Sequence, residues 1–181
     1  MDEERVTPAG VIEPDTKDWT WVLHQRCEDC GFEPDDVIGP ELPVLIHEWV
    51  PRWESQLGRP DVRRRPRPDV WSPLEYACHV RDVFRIFDER LAMMLVEDDP
   101  TFPNWDQDAT ALSERYDQQA PSAVAEELRD AGADLAAGFA AVRREQWERR
   151  GLRSNGSAFT VRTLGRYFAH DVVHHLHDVT H

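Results

Sequence analysis

The histidines near the end of the chain are the residues whose type and spacing most directly suggest chemistry. Five of the eight histidines lie in the last twelve residues, within the run AHDVVHHLHDVTH. His170 and His174 are four residues apart, so on a helix their rings project from one face and can share an ion. Two ligands do not complete a metal site. The pattern therefore predicts a divalent-metal site that takes a further ligand from elsewhere in the chain.

His79 is the other histidine expected inside a core helix, and it is the candidate third ligand. Helical rotation places it at the edge of an apolar face. A single histidine in such a position is more often a hydrogen-bonded structural residue, and the residues alone leave that alternative open. The neighbouring His175, His177 and His181 are expected to be exposed or to support the ligands.

The helix that carries His170 and His174 has an apolar stripe that points almost the opposite way. Phe168, Val172 and Val179 belong to this stripe. The two histidines are therefore expected to face a cleft at the mouth of the fold. Three histidine ligands leave a coordination position for water or substrate, which is the arrangement that metal catalysis needs.

A second cluster of potential ligands lies near the N-terminus. Cys27 and Cys30 form a C-x-x-C pair, and His24 precedes the pair at the same interval. A closed zinc site needs four ligands, and Cys78 is the only other thiol in the chain. A second metal site, a redox pair that forms a reducible disulfide, and ordinary packed cysteines all remain open.

Three more residues are candidates for contact with a substrate. Trp105 and Asp106 lie in a long polar connection and could cover the metal cleft, with the carboxylate as a base or as a partner of a ligating histidine. Arg166 lies one helical turn before His170 and could receive a substrate carboxylate. An ordinary turn around Trp105 and a surface ion pair for Arg166 are the competing interpretations.

The elements that must position these residues are helical. Residues 1–40 contain several prolines and glycines without sustained periodicity, which predicts an irregular N-terminal arm. Residues 41–181 are expected to form one all-α domain, a four-helix bundle, because apolar residues recur there at helical spacing and strand signals are weak.

Four helices are expected in that domain. The first covers residues 41–57, and Pro51 should kink it or end it early. The second covers residues 73–96, with Ser72 and Glu75 forming a capping box at its start. The third follows Pro121 and ends before residue 151, and the fourth begins after residue 160.

The composition restricts the classes of molecule that the protein is expected to bind. The 181 residues carry a formal net charge of −14, which opposes binding to a phosphate backbone and argues against nucleic acid as the partner. No apolar run is long enough to span a membrane, and no secretory signal is evident, so we expect a cytoplasmic protein that acts on a small molecule.

Two segments together resemble a known family. The run WSPLEYACH at residues 71–79 and the later pair His170-x-x-x-His174, followed by His175, resemble the DinB/YfiT-like superfamily, which includes the N-terminal domain of mycothiol-dependent maleylpyruvate isomerases. The order and separation of the motifs carry the resemblance, which spans roughly residues 40–180.

The resemblance implies a four-helix bundle, usually a homodimer, that binds zinc or nickel through His79, His170 and His174. Characterised members include transferases and isomerases that use a low-molecular-weight thiol such as mycothiol or bacillithiol, which the ion would activate as a thiolate nucleophile. We therefore expect a metal-dependent thiol S-transferase or a related small-molecule enzyme. A non-catalytic metal-binding or stress-response protein and a metal-dependent hydrolase are the alternatives.

Overall fold

The fold is a helical bundle with a small sheet at one end. The structure, a computed structural model, describes residue 12 and residues 14–181. Within this part of the chain the helices are α1 (Leu42–Leu57), α2 (Pro73–Val96), α3 (Gln107–Ser113), α4 (Pro121–Ala140) and α5 (Val161–Thr180). The four long helices form the bundle, and the short α3 lies in the connection between α2 and α4. The expected all-α bundle is confirmed.

The first helix continues through its internal proline. Of the two effects expected of Pro51, a kink or an early end, the early end does not occur, because the helix runs to Leu57. Proline removes one backbone donor from the helix. Trp53 and Leu57, which follow it, are buried in the core, and their packing keeps the last turns helical.

The second helix has the expected bounds and the expected cap. The Ser72 hydroxyl accepts the amide of Glu75 at 3.3 Å, and a carboxylate oxygen of Glu75 accepts the amide of Ser72 at 2.8 Å. Two of the amides that a helix start leaves unpaired are satisfied in this way. Glu75 also forms an ion pair with Arg65, so the start of the helix that carries His79 is firmly held.

Aromatic side chains fill the centre of the bundle. Phe168 of α5 packs against Phe84 of α2 at 5.0 Å between ring centroids and against Phe139 of α4 at 6.2 Å. All three are almost completely buried. This packing fixes the rotation of α5 about its axis, and therefore decides which of its polar residues face each neighbour.

The sequence did not predict the small sheet. Strand β1 (Thr101–Phe102) pairs in parallel with β2 (Arg150–Arg153), which pairs antiparallel with β3 (Ala158–Thr160). Strands of two to four residues are too short to show an alternating pattern. The sheet closes the end of the bundle where the long connection and the start of α5 meet.

The N-terminal arm packs on the bundle. In the described part of the arm the regular structure consists of three 3-10 turns, at Thr20–Leu23, Pro34–Asp36 and Gly39–Glu41. Val22, Cys27 and Phe32 of the arm are buried. The arm therefore contributes its own side chains to the surroundings of α5.

Candidate metal centre

Helix α5 carries two overlapping pairs of potential metal ligands. His170 and His174 form one i, i+4 pair, and Asp171 and His175 form a second pair shifted by one residue. Consecutive residues on an α-helix are rotated by about 100° about its axis. The two pairs therefore face different neighbours of α5.

The pair Asp171 and His175 faces α2 and meets His79 there. One ligand atom of each of these three residues lies within 4.8 Å of the other two. The Nε2 of His79 is 3.3 Å from an oxygen of Asp171, and the Nε2 of His175 is 3.8 Å from the same oxygen. We call this set the open group.

Several polar atoms of the open group are buried without a hydrogen bond. Among the described residues, the Nδ1 of His79 has no hydrogen-bond partner, and the Nε2 of His79 and the Oδ1 of Asp171 make no hydrogen bond although they lie 3.3 Å apart. A buried polar atom without a partner costs about 1–3 kcal/mol, so native structures rarely leave such atoms unsatisfied. Two imidazoles and a carboxylate are a common ligand set for a divalent metal, and a cation among them would satisfy these atoms.

Asp178 orients His175. Its carboxylate lies 3.0 Å from the Nδ1 of His175, one helical turn away. This bond leaves the Nε2 free to bind a metal, as is usual for ligating histidines. Burial lowers the pKa of His175, but the bond to Asp178 and the charge of Asp171 outweigh burial and raise that pKa above its ordinary value.

Asp171 is held as a carboxylate. Burial alone would raise its pKa, but the neighbouring imidazoles of His79 and His175 outweigh burial and depress the pKa to about 2. Asp171 therefore contributes a negatively charged oxygen to the open group at neutral pH. Such a charge attracts a cation and favours metal binding over protonation.

The pair His170 and His174 faces the N-terminal arm and meets Cys27 and Cys30. One ligand atom of each of the four residues lies within 4.8 Å of the other three. The Sγ of Cys27 is 3.6 Å from the Nδ1 of His174. We call this set the closed group, because four protein ligands fill a tetrahedral site.

Burial governs protonation in the closed group. It lowers the pKa of His170 to about 4, and the neighbouring His174 acts in the same direction. Burial also lowers the pKa of His174. The thiol of Cys30 has a raised pKa, again because it is buried. Both imidazoles are therefore neutral at pH 7 and have lone pairs available for a metal.

A pocket of about 530 Å³ lies along α5 beside both groups. Residues 14–19 of the arm form one wall, and residues 104–108 form another. Arg153 and Ser157 of the sheet region close a third side. Asp108 lines the pocket, and burial raises its pKa.

The long connection covers the open group as the sequence suggested, although its two candidate residues differ in their contacts. The ring of Trp105 stacks on His79 at 5.2 Å with an interplanar angle of 6°. Asp106 lines the pocket, and its carboxylate accepts the amide of Ala109 at 2.9 Å as the cap of α3. Trp105 thus shields His79, while one carboxylate oxygen of Asp106 is engaged in capping.

Two other candidate residues lie away from the pocket. Arg166 forms an ion pair with Asp35 of the arm at 3.2 Å, which is the competing interpretation given above. It is not among the residues that line the pocket. His24 is exposed and is not part of the group that contains Cys27 and Cys30.

The structure distributes the three predicted ligands over two groups. His79 belongs to the open group, and His170 and His174 belong to the closed group. Sequence reasoning missed Asp171 and His175 as ligand candidates. The second i, i+4 spacing in the same run was the available signal, but spacing alone could not show which pair faces α2.

The comparisons with known proteins show the family. The model of the DinB superfamily matches residues 54–179, so the chain belongs to this superfamily. No curated protein matches the chain in sequence. Among solved structures, YfiT from Bacillus subtilis superposes with a TM-score of 0.70 at 16% identity, covering 82% of this chain and 91% of the other. YfiT is described as a probable metal-dependent hydrolase with an unusual four-helix bundle topology.

Within the described residues, no helix is both long and apolar enough to cross a bilayer.

Proposed function

We propose that this protein is a metal-dependent hydrolase of a small polar molecule, with His79, Asp171 and His175 as the ligands of a divalent ion. The observation that carries the proposal is the open group itself. Its three ligand atoms lie together beside a pocket, and several of its buried polar atoms make no hydrogen bond. Zinc and nickel are the ions that we expect.

The ligand set favours hydrolysis. Two histidines and one carboxylate are the ligands of several zinc hydrolases, in which water or substrate takes the remaining position. When bound, a divalent ion supplies Lewis-acid chemistry, because it lowers the pKa of a water or thiol ligand and polarises a carbonyl or phosphoryl oxygen. One carboxylate ligand leaves a net positive charge, which favours an anionic nucleophile.

Residues around the open group support it in two ways. Asp178 holds the ring of His175 through its Nδ1. Trp105 covers His79, which is completely buried, and so excludes water from that side. A rigid, partly dry site strengthens the electrostatic interactions within it.

Asp108 is the general base in this proposal. It lines the pocket beside the open group, and its Oδ2 accepts the amide of Asp15 at 3.1 Å, which fixes the carboxylate. Burial raises its pKa, and a carboxylate of raised pKa is a better proton acceptor near neutral pH. Asp106 is the weaker candidate, since one of its oxygens caps α3.

The residues of the pocket walls support a proposal for the substrate class. Asp15, Asp18, Asp106 and Asp108 all line the pocket. The basic residues Lys17 and Arg153 also line it, and the ammonium of Lys17 lies 4.1 Å from the ring centroid of Trp19. We therefore expect a neutral or cationic molecule rich in hydrogen-bond donors.

Thiol transfer is the second candidate, because the resemblance described above includes enzymes that activate mycothiol at an ion of this kind. The same open group would hold the ion, and the thiol would replace water. The description of YfiT as a hydrolase favours the first candidate. A homodimer in the cytoplasm stays an expectation, and light scattering of the purified protein tests the dimer.

Metal analysis is the first test. Protein without a histidine tag is purified, and its ions are counted by mass spectrometry for the wild type, His79→Gln, Asp171→Asn and the exposed control His47→Gln. We expect His79→Gln and Asp171→Asn to lose about one ion per chain and the control to lose none. Retention of the full metal content by both ligand variants would contradict the proposal.

Activity assays then separate the two reactions. Ester, amide and phosphoester substrates test hydrolysis, and mycothiol or bacillithiol with monochlorobimane tests thiol conjugation. We expect metal-dependent hydrolysis that is lost in Asp171→Asn and kept in His47→Gln. Conjugation without hydrolysis would establish the second candidate. Neither reaction over broad panels would identify a non-catalytic metal-binding protein.

A further inference from the structure

We propose that Cys27, Cys30, His170 and His174 form a second, structural zinc site that fastens the N-terminal arm to α5. The site has two thiolate and two imidazole ligands and leaves no position open for substrate. This inference concerns a different set of side chains from the proposed hydrolase site and does not depend on it.

The geometry of the closed group fits a tetrahedral ion. Zinc bonds of about 2.3 Å to sulfur and about 2.0–2.1 Å to nitrogen place neighbouring ligand atoms about 3.3–3.8 Å apart. The measured separation of 3.6 Å between the Sγ of Cys27 and the Nδ1 of His174 lies in this range. The four ligand atoms need only small shifts to surround one ion, since none of their separations exceeds 4.8 Å.

The arm presents the two cysteines on a tight turn. The amide of Gly31 donates to the carbonyl of Cys27 at 2.8 Å, and the amide of Cys27 donates to the carbonyl of Phe32 at 2.9 Å. Gly31 has a φ of +76°, a conformation that a residue without Cβ adopts at little cost. The turn thus directs both sulfurs of the C-x-x-C segment toward α5.

His170 gives an independent indication of a ligand. It is 4% exposed, and in the described residues its Nε2 has no hydrogen-bond partner. Its ring lies between Trp19 and Phe32, with centroid separations of 5.5 and 5.3 Å. A bound ion would give this buried nitrogen the partner that it lacks.

The ligand chemistry selects zinc. Thiolates and imidazoles suit zinc, whereas magnesium and calcium require oxygen ligands. Two thiolates neutralise a divalent ion, so the complete site carries no net charge and can be buried at low cost. A disulfide between Cys27 and Cys30 is the alternative, but it would leave the buried nitrogen of His170 without a partner.

The site has a consequence for the pocket. Residues 14–19, which precede the C-x-x-C turn, form a wall of the pocket beside the open group. The family model begins at residue 54, so neither cysteine lies in the matched region. The zinc therefore fastens a segment outside the matched region and holds the pocket wall that this segment supplies.

Cobalt substitution tests the site directly. The metal-free protein is loaded with Co(II), and its absorption spectrum is recorded for the wild type, Cys27→Ser, Cys30→Ser and the control Cys78→Ala. We expect strong tetrahedral bands and a thiolate-to-cobalt charge-transfer band in the wild type and the control. Both bands should weaken markedly in the two serine variants.

A second measurement does not require the variants to fold. An organomercurial reagent that blocks thiolates is titrated into wild-type zinc protein, and released zinc is read with a chromogenic chelator. We expect about one zinc per chain to be released as Cys27 and Cys30 react. Cobalt binding without a charge-transfer band, no zinc release on thiol blocking, or a disulfide between the two cysteines in the purified protein would overturn the proposal.

Discussion

The open and closed groups lie on the same helix, only one residue apart in sequence, yet they suit different tasks. The closed group has four ligands, two of them thiols, and joins α5 to the arm. The open group has three ligands and joins α5 to α2 beside a pocket. Four ligands saturate a zinc ion, whereas three leave a position for an exchangeable molecule. In the two proposals, the number of ligands therefore separates a structural site from a catalytic one.

Asp178 lies between the two groups. Its carboxylate is 3.0 Å from the Nδ1 of His175 and 3.9 Å from the Nε2 of His174. Burial opposes its charge, but the hydrogen bond to His175 and the nearby histidines depress its pKa. One carboxylate thus supports a ligand of each group, and the two ions should influence each other.

The largest expected effect is the loss of the closed group. The double variant Cys27→Ser/Cys30→Ser should lose the stabilisation that bound zinc gives the folded state, about 4 kcal/mol when free zinc exceeds its Kd a thousandfold. Urea unfolding measures the change, and limited proteolysis should show new cleavage in the arm. Cys78→Ala serves as the control for proteolysis. If the arm of the double variant stays protected from the protease, the closed group does not hold the arm, and the proposed difference in role between the two groups is contradicted.

The metal-free protein should become less stable in acid because of the closed group. The folded-state pKa of His170 is lowered to about 4 from 6.5, so the unfolded chain binds the proton more readily between these values. Stability is therefore complete above about pH 6.5 and falls by roughly 3 kcal/mol toward pH 4. Urea unfolding as a function of pH measures this loss.

The open group is expected to give stability the opposite dependence on pH. The raised pKa of His175 contributes stability that is present in acid and is lost as pH rises through that pKa. In metal-free protein, His170→Gln should reduce the loss of stability between pH 6.5 and 4, whereas His175→Gln should not. Equal slopes in the two variants would show that the two sides of α5 do not differ electrostatically.

A smaller effect is expected at the carboxylate between the groups. Asp178→Asn removes the charge that orients His175 and should weaken metal binding by the open group about 10- to 100-fold. Binding by the closed group should change less, because its contact with Asp178 is longer. Competition with a chelator of known affinity measures both constants. An equal loss in both groups would show that Asp178 does not discriminate between them.

The smallest expected effect is at the start of α2. Ser72→Ala removes the side-chain cap and should lower the free energy of unfolding by about 1 kcal/mol. His79 lies two turns further along the helix and is held by core packing, so the metal content of both groups should not change. Loss of metal in this variant would mean that the cap, and not the core, positions His79.

Local features of the sequence were sufficient to predict the long helices. The capping box at Ser72, the proline at the start of α4 and the apolar spacing in α5 each act within a few residues of chain. Pro51 shows the limit of such reasoning, because the packing of Trp53 and Leu57 keeps α1 helical beyond it. The small sheet was missed because its strands are too short to show an alternating pattern and because β1 pairs with a distant part of the chain.

The sequence by itself determined which residue types could bind a metal and that α5 would present them one helical turn apart. It could not determine which pair would face α2 and which would face the arm. That choice depends on the rotation of α5, which the packing of Phe168 against Phe84 and Phe139 sets. One residue corresponds to about 100° of helical rotation. Only the tertiary structure therefore placed His79 with Asp171 and His175, and brought Cys27 and Cys30 to the other pair.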